Sequence, residues 1–130
     1  MLLSQIKMSM FSKVTAFRIT PLTRFSFLTR EKIKAVDNIY ALENSFDEIF
    51  KNSEKLIEST KFMKNNCGDD PEMREYINEN SYALDKNLTV LFFIQERYLD
   101  LNFTMNQKEV SKKLETLQNN IFQLKNSIKC

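Results

Sequence analysis

The stretch Leu42–Met73, "LENSFDEIFKNSEKLIESTKFMKNNCGDDPEM", decides the fold. Leu42, Ile49, Leu56 and Met63 fall seven residues apart, Ala35 extends the series backwards, and Ile39 and Phe46 fill the alternate seam position. Apolar residues at that interval share one stripe of an α-helix, so the spacing predicts a heptad helix over residues 31–66. The alternate position continues as Ser53 and Thr60, and the seam thins accordingly. Asn65, Asn66, Cys67 and Gly68 then supply residues that tolerate a left-handed helix end, with Gly68 the only glycine in the chain. "DDPEM" starts another helix. Asp69 or Asp70 can cap backbone donors, Pro71 suits a first helical turn, and Glu72 complements the positive end of the dipole.

The second helix is expected over residues 71–102. Ile77, Leu84, Leu91, Tyr98 and Met105 fall seven apart, and Met73, Ile94 and Leu101 take the alternate position. Asn80 and Asn87 interrupt that alternate position. Two readings stand for them: buried in the seam, where Asn fixes register or partner choice, or pointing to solvent from its edge. Within this helix "LTVLFFI", Leu88–Ile94, is apolar on all sides and resembles a strand locally, but the flanking periodicity makes it helical, and it is too short to cross a membrane. A helical reading carries Phe92 and Phe93 beyond the seam. A third helix or another protein must cover them, which makes them the first candidates for an interaction surface.

Around "NFTMNQKE", Asn102–Glu109, the seam changes phase, so a break is expected there, with Thr104/Gln107 or Asn106/Glu109 as a capping box. A third helix over residues 107–128 follows from Val110, Leu114, Leu117, Ile121, Leu124 and Ile128, alternating steps of four and three. The fold class is therefore all-α: an elongated helical hairpin or three-helix, coiled-coil-like bundle over residues 31–130. One glycine and two prolines in 130 residues agree, because a β-rich domain needs turn residues at every strand boundary. Helices of this length span roughly 30–50 Å, and such narrow helices leave part of each stripe uncovered in a monomer. The expectation is a partner, either another helical subunit in a hetero-complex or a second copy, with a monomeric three-helix bundle as the competing reading. Its interface would draw on Ile39, Phe46, Ile49, Leu84, Leu91, Phe92, Phe93, Tyr98, Leu114, Leu117, Ile121 and Leu124.

Chemistry finds little footing. Histidine is absent, which removes the commonest general base and metal ligand, and a single glycine cannot build a phosphate-cradling loop. Cys67 and Cys130 stand far apart and read as structural or incidental rather than as a zinc or redox motif. Asp47, Glu48, Asp69, Asp70 and Glu72 read as solvated faces and caps. No catalytic, cofactor-binding or metal-ligating residue is assigned, and the chain is expected not to be an enzyme. Residues 31–130 hold 14 basic against 17 acidic residues, so this part is not a nucleic-acid binder by charge.

Several fragments of the body resemble a known family. "DNI" at Asp37–Ile39, "FDEIFK" at Phe46–Lys51, "LDLNF" at Leu99–Phe103 and "LETLQ" at Leu114–Gln118 are similar to the small helical subunits of the Mediator head module, subunit twenty-two first and its sister, subunit eleven, second. The resemblance covers about residues 31–125. It implies a nuclear, non-enzymatic scaffold subunit whose helices join those of a sister subunit and help relay regulators to RNA polymerase II.

Residues 1–30 differ. They hold Lys7, Lys13, Arg18, Arg24 and Arg30, no acidic residue, and eight Ser or Thr. On a helical wheel Leu3, Ile6, Met10, Val14 and Phe17 share one face, and Pro21 ends any helix there. This is the composition of a mitochondrial transit peptide, which implies the alternative function: an imported mitochondrial accessory or assembly subunit, in the matrix or associated with the inner membrane. A disordered basic arm or an extra helix packed on the bundle are the other readings of the same segment.

Overall fold

The protein, described here by a computed structural model over residues 28–102 and 107–127, is all-α. Among the described residues four helices form: α1 (Arg30–Lys34), α2 (Ile39–Asn66), α3 (Pro71–Asp100) and α4 (Gln107–Asn126). Helix α3 is the spine, with α1, α2 and α4 all packed against it.

The first helix expected from the heptads is two helices. Ala35, placed in the seam by spacing, is exposed and forms the C-cap of α1, and Asn38 opens α2 by accepting from the backbone N–H groups of Tyr40 and Ala41. An Asn cap of this kind is worth about 1 kcal/mol, enough to end one helix and begin another where tertiary contacts agree. Here they do. Arg97 of α3 donates from Nε to the Val36 carbonyl and from Nη2 to Asp37 Oδ1, both at 2.9 Å, and so holds the non-helical connection. The bundle also begins earlier than residue 31. Thr29 caps α1 by accepting from Lys32 N at 3.3 Å, Leu28 packs against the core, and Arg30 pairs with Glu96. Of the segment 1–30 with predicted transit-peptide features, residues 28–30 thus belong to the bundle, and residues 1–27 lie outside the described residues.

The α2–α3 turn follows the sequence closely. Gly68 has φ 50°, where a side chain would be strained, and Asp70 caps α3 by accepting from Glu72 N and Met73 N. Helix α3 ends at Leu101 with Asn102 in the left-handed region at φ 54°, so α3 and α4 are separate helices. Thr104 and Asn106, the capping residues proposed for α4, lie outside the described residues.

Helices α2 and α3 form an antiparallel hairpin with one register. Asn87 Nδ2 donates to Ser53 Oγ at 3.1 Å and Asn80 Nδ2 to Thr60 Oγ1 at 3.3 Å. Each helix moves seven residues between these layers, in opposite directions. Leu56 and Leu84, both fully buried, belong between them. The hydroxyls in turn donate to the carbonyls of Ile49 and Leu56 in their own helix. Both Asn therefore lie in the seam, and the polar positions Ser53 and Thr60 of α2 are the places where it receives them. Apolar layers carry the rest: Leu42, Phe46, Ile49, Leu56 and Ile57 from α2, Leu84, Val90, Leu91, Ile94 and Tyr98 from α3, Leu114, Leu117, Ile121 and Leu124 from α4, and Ile33 from α1. Burying each such side chain contributes roughly 1.5–3 kcal/mol. A smaller cluster, Met63, Cys67, Met73 and Ile77, fills the end nearest the α2–α3 turn.

Candidate functional site

Most residues predicted to meet a partner meet one another. Phe46, Ile49, Leu84, Leu91, Tyr98, Leu114, Leu117, Ile121 and Leu124 are buried inside this one chain, and Ile39 is half-buried. The heptad stripes close on themselves because three of them, on α2, α3 and α4, face a common axis, and α1 brings Ile33 to the same core. Phe46 shows the kind of contact involved: its ring stacks on Phe50 with centroids 6.1 Å apart and lies 6.5 Å from the Tyr98 ring. Burial pushes the Tyr98 phenol well above its ordinary pKa, and the Glu43 and Asp47 carboxylates add to the shift.

Phe92 and Phe93 part company. Phe93 is half-buried against the core and lines, with Leu28, Val90 and the Arg30–Glu31 segment, a shallow depression of about 430 Å³ between α1 and α3. Phe92 is 38% exposed. Its position follows from two contacts that fix how α4 runs along α3: Gln95 Nε2 donates to Ser111 Oγ at 3.0 Å, and Lys125 pairs with Asp85. The two helices are thus antiparallel. Phe92 stands seven residues after Asp85 and three before Gln95, on the same line of α3. Phe122, 65% exposed, stands three residues before Lys125 and eleven after Ser111, on the matching line of α4. The α3/α4 seam therefore carries two outward aromatic side chains.

Heptad periodicity does not single out Phe122, because the α4 stripe is complete without it. The signal was available: a Phe directly after seam residue Ile121 lies off the stripe. Tyr40, Phe62, Tyr82 and Leu99 are also exposed, scattered over α2 and α3.

The polar groups serve structure. Asp70 is the α3 cap, Asp69 pairs with Arg74 at 3.3 Å, and Glu72 lies in the first turn of α3. Among the described residues no group of three or more His, Cys, Asp or Glu side chains is placed to hold a metal ion. Lys64, near the end of α2, donates to the Leu124 carbonyl and lies 3.4 Å from Ser127 Oγ, with burial holding its ammonium pKa below the usual value. Cys67 is disulfide-bonded, not an incidental free thiol; Cys130 lies outside the described residues. Among the described residues no helix is long and apolar enough to cross a membrane.

Fold and surface together define an all-α helical bundle with an aromatic line on its α3/α4 seam. Compared with known proteins, the chain matches no protein-family model, no curated protein and no solved structure.

Proposed function

We propose that this chain is a non-enzymatic scaffold subunit of a multiprotein complex, docking a helical partner along the α3/α4 seam. The observation that carries the reading is the pair Phe92 and Phe122: aromatic residues facing outward from a bundle whose own stripes are already closed. Large exposed rings on adjacent helices are apolar area that a partner helix can cover, and aromatic side chains are the usual energetic anchors of such contacts. The partner is another helical protein subunit; a second copy of this chain is the other outcome the test separates. Direct nucleic-acid binding has no part in the proposal, and neither does a cofactor.

Two assemblies fit such a subunit. The Mediator head, in the nucleus, is supported by the fragments at Asp37–Ile39, Phe46–Lys51, Leu99–Phe103 and Leu114–Gln118. A mitochondrial complex is supported by the acid-free, basic, hydroxyl-rich composition of residues 1–30. Imaging the chain with a C-terminal tag, with its N-terminus sequenced after purification, separates them. Nuclear signal at full length supports Mediator and eliminates import; mitochondrial signal with a shortened N-terminus does the reverse.

A further inference from the structure

The α3/α4 seam carries a third outward apolar side chain in line with the first two. Leu99, 60% exposed, stands seven residues after Phe92 and so on the same line of α3, a rise of about 10.5 Å. Phe92 is three residues before Gln95, which makes it level with residue 114 of α4 when counted from the Gln95–Ser111 contact. It is seven residues after Asp85, which makes it level with residue 118 when counted from Asp85–Lys125. Phe122 therefore lies four to eight residues further along the seam, a rise of about 6–12 Å. Leu99, Phe92 and Phe122 thus follow one another at steps that match the seven-residue interval of a coiled-coil seam, about 10.5 Å.

Glu115 stands on this line too. It is exposed, seven residues before Phe122 on α4, and level with Phe92. Among the described residues it makes no ion pair, whereas Asp85 beside the same line is paired with Lys125, and Glu96 with Arg30 and Lys34. The seam therefore presents an uncompensated negative charge at the middle of an apolar row. A second copy seated symmetrically on that middle would set Glu115 against Glu115, and like charges in register disfavour the contact.

We propose that the occupant of the seam is a single helix of a different protein, with apolar residues about seven apart facing Leu99, Phe92 and Phe122 and a Lys or Arg at its middle facing Glu115. The proposal rests on the reading of this chain as a scaffold subunit and adds the partner's chemistry. Covering three large apolar side chains supplies the affinity of such a contact, while the central charge pair sets its register and works against self-association.

The test puts the photo-cross-linking residue benzoylphenylalanine in place of Leu99, Phe92 or Phe122 of the full tagged chain, one at a time, and maps the partner residues captured in cell extract. The expected cross-links all fall in one segment of one other protein, in the order Leu99, Phe92, Phe122 or its reverse, about seven residues apart. A peptide copied from that segment should bind the wild type roughly five- to tenfold more tightly than a Glu115→Lys variant, whose unfolding midpoint should match the wild type's. Cross-links to another copy of this chain or to separate segments, or none from a chain held in a complex, overturn the proposal. Equal affinity of the two chains for the peptide overturns it as well. The wild type's native mass in the same extract tells the two failures apart. A monomer removes the scaffold reading and this inference with it, whereas a complex with the wrong cross-links removes the inference alone.

Discussion

Asn80 and Asn87 take equivalent places in successive layers of the α2–α3 seam, yet they are not equally satisfied. Asn80 is fully buried and its Oδ1 has no hydrogen-bond partner, whereas its amide donates to Thr60. A buried polar atom left unmade costs about 1–3 kcal/mol, and replacing both members of a layer with apolar groups of similar volume is often neutral or stabilising. Asn80→Val with Thr60→Ala should accordingly raise stability by about 1 kcal/mol, read as a higher denaturant midpoint at unchanged slope. Extending the change to Asn87→Val and Ser53→Ala should raise the midpoint again but relax the register, giving more than one set of amide resonances. A single set in the fourfold variant would mean that apolar packing alone fixes the register. Phe92 and Phe93 separate at the same scale. Phe93→Ser should cost about 2–3 kcal/mol, because its ring completes the core edge beside α1. Phe92→Ser, on the exposed line, should change stability by less than ~0.5 kcal/mol in thermal or chemical unfolding.

At the scale of elements, the break between α1 and α2 is the feature that heptad reading passed over. Its local signals, Asp37 and Asn38 after a β-branched Val36, lay in the sequence, but the residue that makes the break pay its way is Arg97, sixty-one positions from Val36. A guanidinium reaching a carbonyl across the bundle has no signature in periodicity. Arg97→Met should cost about 1–2 kcal/mol, from loss of its charge-assisted bonds, and should loosen the connection between α1 and α2 first. Amide hydrogen exchange around Val36–Asn38 is the readout. Helix α1 is held further by Arg30 and Lys34 on Glu96. The hydrogen bond from Arg30 and the charges of Arg30 and Lys34 hold Glu96 below the ordinary carboxylate value of 4.5. A depressed carboxylate adds stability that is full above the unfolded value and is lost as pH falls through the folded one. Exchange protection of α1 should therefore be constant from neutral pH down to that value and fall below it. Because both groups are exposed, the change should be small and should shrink further in high salt.

For the whole molecule, the all-α class and the positions of α2, α3 and α4 were legible because each rests on a local rule: heptad spacing, one glycine turn, an Asp–Pro start. The burial of Leu84, Leu91, Leu117 and Leu124 was legible for the same reason. What covers them was not, since an apolar stripe looks identical whether its neighbour is another helix of the chain or another protein. Three stripes on three connected helices can close on each other, and here they do, so the surface left for partners falls to off-stripe residues such as Phe92 and Phe122. Phe92 was legible from the all-round apolar run at Leu88–Ile94. Its companion on α4 needed the antiparallel register set by Gln95–Ser111 and Asp85–Lys125. The most direct measurement of the central claim is the native mass of the tagged full chain in cell extract, compared with a Phe92→Ser/Phe122→Ser variant that keeps wild-type helicity and unfolding midpoint. The account predicts that the wild type migrates in a complex well above 15.4 kDa, with a distinct helical subunit in fixed ratio, and that the double variant falls to the monomer position. A wild type that migrates as a monomer, or a double variant that stays in the complex, would contradict it.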